Sequence, residues 1–170
     1  IQGLCDECLI AVDDRPGSDE VFEAIKIYPH VVAYRQKWPG RFDRARQEVL
    51  ERVNPRATYI GCCDSDEVLV SHKPRELREL LYTSSMRAVN LAISYKENIG
   101  PNQKGESYLR TKIWKNDHKR RWVGKIHEYP MVVGEMVMPI PRYDIVFEHQ
   151  IIHNTEYRTE FNIKSMMNDI

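Results

Sequence analysis

The stretch Thr58-Tyr59-Ile60-Gly61-Cys62-Cys63-Asp64-Ser65-Asp66-Glu67-Val68-Leu69 decides how this chain is interpreted. It begins as a short apolar run typical of a buried strand, and carboxylates follow where such a strand would end. An unpaired carboxylate is costly to bury, so a counter-charge is expected beside this group. Because Mg²⁺ and Mn²⁺ favour carboxylate oxygens, we predict a divalent-cation site at Asp64 and Asp66. The alternative is a solvated acidic turn, or an N-cap for a helix beginning at Pro74.

The residues before this stretch alternate between strand and helix patterns. Apolar runs predict strands at residues 8–12, 31–34 and 58–63, and apolar residues at helical spacing predict helices at residues 18–28 and 42–53. Ser18 or Asp19 is the expected N-cap of the first helix. Strand–helix alternation of this kind predicts a parallel sheet with crossover helices, and therefore an α/β fold.

A second acidic pair, Asp13-Asp14, also follows a predicted strand directly. Ligands of parallel sheets bind beyond the carboxyl ends of the strands. We therefore expect Asp13 and Asp14 to share one cleft with Asp64 and Asp66.

The second half of the chain predicts a mixed, loop-rich region. Its patterns predict helices at residues 74–81 and 156–170, a polar loop at 98–105, and strands at 89–95, 108–114, 122–126, 131–138 and 145–149. No linker divides the two halves, so we expect a single domain over residues 1–170, ending within its last helix.

Composition excludes several classes of protein. With 25 basic and 25 acidic residues the chain has no net field to favour nucleic acid or a membrane surface as a partner. It contains no signal-like segment and no apolar run near the ~18 residues of a transmembrane helix. We expect a cytoplasmic protein, at the cytoplasmic face of a membrane if flanking segments carry it there.

Cysteine spacing agrees with a reducing compartment. The Cys5-x-x-Cys8 pair has no second pair at zinc-site spacing, and Cys62 and Cys63 lie in an apolar run. A reduced, structural role is expected for these cysteines.

One segment is locally basic and aromatic. It contains Lys115, His118, Lys119, Arg120, Arg121 and Lys125 between and beside Trp114 and Trp122. A solvated hairpin is the first interpretation, a loop closing over a bound donor the second, and nucleic-acid binding the third.

Four motifs, in order, resemble glycosyltransferase family 2. They are Val12-Asp13-Asp14 with Gly17-Ser18-Asp19, Arg41-Phe42-x-x-Ala45-Arg46, Asp64-Ser65-Asp66-Glu67 and Gly124-x-Ile126-His127-Glu128. The resemblance extends from about residue 5 to residue 170. It implies an inverting enzyme of the GT-A fold, with a Rossmann-like, mostly parallel sheet flanked by helices. Such an enzyme moves a sugar from a nucleotide-sugar donor to an acceptor hydroxyl.

The resemblance also implies ligands. A Mn²⁺ or Mg²⁺ ion would bind Asp66 directly and Asp64 through the ribose or a water, with His149 completing its shell or contacting phosphate. A UDP-sugar is the expected donor, and the acceptor is a carbohydrate, a lipid or a protein glycan. For His149, a packed or surface histidine is the alternative.

The remaining roles follow from the same resemblance. Asp13 and Asp14 would contact the nucleotide base, unless they form an Asx turn. Arg46, and less strongly Arg41, would reach the diphosphate. His127 would lie on the donor side. Glu128 would be the base that takes the acceptor proton, or would orient the acceptor, and Glu67 is a rival for the base.

The chain also departs from the family pattern. The family's first strand, which lies centrally and helps hold the base, has no counterpart here, and the Asp14–Gly17 loop carries about one extra residue. A non-catalytic nucleotide-sugar- or glycan-binding domain is therefore an alternative. A nucleotidyl- or phosphoryl-transferase is another, although the chain lacks a Gly-rich phosphate loop.

Overall fold

The structure, a computed structural model, describes residues 4–65, 67–69, 74–84, 88–95, 107–117, 119–125, 127–134 and 140–149. Over these ranges the chain forms three helices and nine strands, and the fold class is mixed α/β. The elements are β1 (Cys8–Asp13), α1 (Ser18–Ile25), β2 (Val31–Gln36), α2 (Phe42–Arg52), β3 (Tyr59–Gly61), β4 (Glu67–Leu69), α3 (Pro74–Ser84), β5 (Ala88–Tyr95), β6 (Ser107–Lys115), β7 (Arg120–Val123), β8 (Tyr129–Val132) and β9 (Ile140–His149).

The amino-terminal β1–α1–β2 unit confirms the predicted crossover. β1 and β2 pair in parallel, in register from Cys8 opposite Val31 to Asp13 opposite Gln36. The predicted N-cap was wrong, because Ser18 is the first helical residue and the cap is Gly17 with φ 90°. A left-handed φ costs glycine little, so the chain turns into the helix one residue earlier than the side-chain pattern indicates.

The larger sheet has five strands in the order β3-β6-β5-β9-β4. β6 pairs antiparallel with both β3 and β5, β9 runs parallel to β5, and β4 pairs antiparallel with β9. Strand β4 was not predicted, because its three residues are too few to show a periodicity of their own.

The expected mostly parallel sheet is not what the described residues form. Of their six strand pairings only β1–β2 and β5–β9 are parallel, and β3 lies in a different sheet from β1 and β2. Strand–helix alternation predicts how successive elements connect, but it does not identify a non-local partner such as β6. That partner sets the direction of pairing at β3.

The best-packed core lies between α2, the larger sheet and the β7–β8 hairpin. Trp114 on β6 is 1% exposed, and its ring meets the ring of Trp122 edge to face at 5.9 Å. Leu50, Ile60 and Cys62 pack against this tryptophan pair. Helix α2 is also tied to the hairpin, because the Trp122 amide donates to the Gln47 side chain at 3.1 Å.

The basic segment lies on this hairpin, but its charged side chains differ in their exposure to solvent. Lys119 and Arg121 are exposed, whereas Arg120 is buried and its guanidinium lies 5.6 Å from the centre of the Trp114 ring. The strands are Arg120–Val123 and Tyr129–Val132, and each begins two residues before its predicted counterpart at 122–126 or 131–138; residues 126 and 135–138 lie outside the described residues. The segment therefore contributes one cation to the core and others to solvent.

Other predicted elements have simple outcomes. The structure confirms the predictions of two helices and three strands, namely α2, α3, β5, β6 and β9. Strand β9 begins earlier than expected. The loop at 98–105 and the helix at 156–170 lie outside the described residues. Among the helices that are described, none has the length and apolar character needed to cross a membrane.

Trp114→Ala is predicted to lower the free energy of unfolding by about 3–5 kcal/mol, because it leaves a cavity against Trp122. Urea denaturation measures this loss. Trp38→Ala is the matched control, since Trp38 is 36% exposed, and it should lose less than half as much. Equal losses would contradict the position of the core.

Candidate functional site

Arg46 on α2 joins three segments that are distant in sequence. Its Nε donates to Oε1 of Glu128 at 2.7 Å, and its Nη2 donates to Oδ1 of Asp64 at 2.5 Å. Its Nη1 lies 3.2 Å from the Cys62 sulfur, and the guanidinium stands over the Trp122 ring at 5.1 Å. A planar, rigid guanidinium can hold two carboxylates at once in this way.

Two further cations approach the same carboxylates from β6. Arg110 Nη2 lies 3.2 Å from both Oε1 and the main-chain oxygen of Glu128. Lys112 Nζ donates to both oxygens of Glu67, at 2.7 and 2.5 Å. Oδ2 of Asp64 lies 3.9 Å from Arg110 Nη1 and 3.9 Å from Lys112 Nζ. The side chains of Arg110 and Lys112 lie on the same side of the strand, since both reach the Asp64 carboxylate, although the register with β5 is irregular at Lys112.

We call this group the ion cluster. It consists of Arg46, Arg110, Lys112, Asp64, Glu67 and Glu128. Its three cations and three carboxylates balance, and Lys112 and Glu67 are only 2% and 3% exposed. Removing one member would leave a buried charge without compensation, which is far more costly than breaking a surface pair.

The cluster changes the acidity of its members. Burial alone would raise the pKa of Asp64, but the charges of Arg46 and Lys112, the hydrogen bond from Arg46 and the charge of Arg110 together lower that pKa below its usual value. Burial would likewise lower the pKa of Arg46, yet Cys62, Asp64 and Glu128 raise it overall. Asp64 is therefore held as a carboxylate and Arg46 as a cation.

The cysteines are free thiols with raised pKa values. Burial raises the pKa of Cys62 in spite of nearby Arg46 and Lys112, and burial raises the pKa of Cys5 and Cys8 as well. Desolvation and the charge of Glu67 raise the pKa of Cys63 to about 12. Because the thiolate is the reactive form, these thiols fit the predicted structural role.

Asp13 and Asp14 lie at the carboxyl end of β1, but their described contacts do not join them to the ion cluster. Asp13 pairs with Arg15 at 3.3 Å, and Asp14 pairs with Arg35 of β2 at 3.1 Å. Arg35 also binds Asp19 and the Ser18 hydroxyl. The expectation that both acidic pairs share one cleft stays a prediction.

Of the other predicted site residues, Arg41 pairs locally with Asp43 at 2.7 and 3.0 Å. His127 is exposed and has a left-handed backbone with φ 58°, a conformation in which histidine is enriched among non-glycine residues. Asp66 lies outside the described residues. The backbone of His149 pairs with that of Glu67, which places His149 one strand away from the Asp64 turn.

Arg110 and Lys112 are the cluster members that sequence reasoning missed. They stand two residues apart in β6, just before the apolar pair Ile113-Trp114. Two cations on one face of such a strand indicate buried counter-charges. That signal was present in the sequence, but the partners Glu67 and Glu128 are 45 and 18 residues away.

The donor set suits a divalent cation only in part. Over the described ranges no group of three His, Cys, Asp or Glu side chains could hold a metal ion. Asp64 nevertheless offers hard carboxylate oxygens, which Mg²⁺ and Mn²⁺ favour, and Oδ2 is the less tightly held of the two. Nearby Arg46, Arg110 and Lys112 would repel a bare cation. The described residues therefore do not form a metal site by themselves.

Comparisons with known proteins leave the family open. A scan against models of protein families found no match, and a search of curated proteins found no matching relative.

Asp64→Asn is predicted to lower the free energy of unfolding at pH 7 by about 1.5–3 kcal/mol, the worth of hydrogen bonds to a charged group. Because the folded-state pKa is lowered, this stabilisation is present above the ordinary aspartate pKa of about 4 and is lost as the pH falls through the lowered value. Denaturation from pH 7 to pH 2 should therefore show the two proteins converging in acid.

The control is Asp19→Asn, whose side chain is 86% exposed in a surface pair with Arg35, and it should change stability by only about 0–1 kcal/mol. A difference between wild type and Asp64→Asn that stayed constant down to pH 2 would contradict the assignment.

Proposed function

We propose that this protein is a metal-dependent, inverting glycosyltransferase that moves a sugar from a nucleotide-sugar donor to an acceptor hydroxyl. The observation that supports it is the contact of Arg46 with both Asp64 and Glu128. These residues belong to three of the four motifs that resemble glycosyltransferase family 2, and they lie 18 and 82 positions from Arg46. Motifs matched by chance would have no reason to meet.

The proposal extends to the GT-A fold. That fold requires the β1–β2 pair and the five-stranded sheet to be parts of one larger, mixed sheet. The sheet topology supports this proposal, because β1 and β3 are each an edge strand of their own sheet among the described strands. A terminal strand offers unpaired backbone groups to a further strand.

The metal and nucleotide roles follow the motif order. Asp64 and Asp66, with His149, would hold Mn²⁺ or Mg²⁺, which when bound supplies a Lewis acid that offsets charge on the departing nucleoside diphosphate. Asp13 and Asp14 at the end of β1 would bind the nucleoside, UDP in the first instance, with His127 on the donor side. The guanidinium fork of Arg46 matches phosphate oxygens as well as carboxylates, so it can exchange one for the other.

Glu128 is the proposed base. The acceptor hydroxyl oxygen forms a bond to the anomeric carbon while the bond to the nucleoside diphosphate breaks, and Glu128 takes the hydroxyl proton. Arg46 and Arg110 both contact Oε1 of Glu128 and thereby fix the direction of its carboxylate. The acceptor, whether carbohydrate, lipid or protein glycan, would then meet Oε2. Positioning and charge supply the rest of the rate enhancement.

A second candidate is a nucleotide-sugar- or glycan-binding domain without catalysis. It is favoured by the burial of Glu128 and by its contacts with two guanidinium groups. As long as both contacts persist, an acceptor reaches this carboxylate only if neighbouring groups move. Turnover separates the two candidates, because both would bind the nucleotide.

Nucleotide binding provides the first test. We expect calorimetry with UDP, GDP and dTDP to show binding, to UDP foremost, that requires Mn²⁺. Asp64→Ala should weaken this metal-dependent binding by roughly 10-fold or more, because a ligand and a partner of Arg46 are both lost. Metal-independent binding, or none, would overturn the proposal.

Donor turnover by the variant Glu128→Gln provides the second test. It should leave Mn²⁺-dependent UDP binding within about threefold of wild type while turnover of the donor falls by roughly 10²-fold or more, the worth of a general base. Arg44→Ala is the control, because Arg44 is exposed on α2 and does not belong to the ion cluster. Wild-type binding without any turnover would favour the binding domain.

A further inference from the structure

The Glu67 carboxylate is fully engaged inside the protein. Its side chain is 3% exposed, and both oxygens accept hydrogen bonds from Lys112 Nζ. Oε2 also accepts the main-chain amide of Asp64 at 2.9 Å. A carboxylate held in this way has no oxygen directed to an acceptor hydroxyl, which disfavours Glu67 as the base.

The same contacts close the turn that carries the acidic motif. The Glu67 amide donates to the Asp64 carbonyl at 3.1 Å, while the Asp64 amide donates to the Glu67 side chain. These reciprocal bonds connect the two ends of the turn. The main chain at Asp64 therefore cannot change direction without breaking a hydrogen bond to a buried charge, which is costly.

Lys112 anchors this turn to the sheet. Its main-chain oxygen accepts the Cys62 amide at 2.8 Å, just before the turn, and its ammonium group holds Glu67, just after it. Strand β6 lies between β3 and β5, so this anchor is itself held on both sides. Stability alone does not account for the pair, because hydrophobic replacements of buried ion pairs are often equally stable or more stable.

We propose that Glu67 is a positioning residue that holds the Lys112 ammonium group away from the Asp64 carboxylate and thereby keeps this carboxylate available to the metal–diphosphate ligand. This inference rests on the proposed function for the identity of that ligand. Glu67 keeps Lys112 occupied, and Lys112 Nζ is only 3.9 Å from Oδ2 of Asp64. If Glu67 lost its charge, Lys112 would turn to Asp64 and compete with the cation for it.

The test compares wild type, Glu67→Gln and the double variant Glu67→Gln/Lys112→Met by calorimetry with UDP and Mn²⁺. Glu67→Gln should weaken metal-dependent binding by roughly 10- to 100-fold, as expected for residues that orient a metal ligand. Adding Lys112→Met should restore most of this loss, because the competing ammonium group is gone. Glu51→Gln, on the exposed face of α2, should leave binding unchanged.

Backbone amide hydrogen exchange supplies a second readout that needs no ligand. In Glu67→Ala the Asp64 amide should exchange about tenfold faster or more, because it loses a charged acceptor, while the Ile60 amide in β3 should keep its wild-type rate. Equal acceleration at both amides would indicate general destabilisation and would overturn the positioning role.

The other possible outcomes of these experiments also test the positioning role. If Lys112→Met does not restore the binding lost in Glu67→Gln, Glu67 is a direct ligand. If Glu67→Gln loses turnover but keeps its binding, Glu67 is the base. Either result overturns the proposal. If wild type binds no UDP with Mn²⁺, the proposed function fails. The exchange rate of the Asp64 amide then decides the positioning role alone.

Discussion

The structure around the site depends on the two hydrogen bonds that Arg46 gives to Asp64 and Glu128. Through them α2, the turn after β3 and the segment before β8 are held together, with the ring of Trp122 against the guanidinium. The tryptophan core beneath places Arg46 and excludes water from one side of it. Because desolvated charges interact strongly, the packing and the ion pairs support each other.

Charge balance gives this arrangement a functional consequence. Three cations and three carboxylates compensate one another, so each carboxylate that leaves a cation must be replaced by another anion. A diphosphate that brings its own metal ion can make that replacement, because it supplies anionic oxygens for Arg46 and a cation for Asp64. The resting cluster is in this sense complementary to the ligand proposed for it. Glu67 accepts hydrogen bonds from Lys112 and from the Asp64 amide, which connects the turn to β6.

Sequence predicted those features that local patterns determine. The strand at β1, the helices α1 and α2 and the crossover to β2 follow from periodicity over adjacent residues. Periodicity did not predict the partner of β3, because β6 is distant from β3 in the sequence and its direction depends on its pairing with β5. Arg46, Asp64 and Glu128 were proposed as site residues from motif order, and the structure brings these three into contact.

The rest of the site depends on contacts between distant parts of the chain. The spacing of Arg110 and Lys112 indicates buried counter-charges, but it does not identify their partners, which lie 18 and 45 residues away and meet them through the position of β6 beside the Asp64 turn. Asp13 and Asp14 show the converse case. Their position after a strand was predicted, but their described partners are Arg15 and Arg35.

A double-mutant cycle between Arg46→Met and Glu128→Gln tests the central claim most directly. If the ion cluster couples these residues, their effects on the free energy of unfolding should be non-additive by about 1–3 kcal/mol, with the double variant less destabilised than the sum of the single ones. Additivity within about 0.5 kcal/mol would contradict the account.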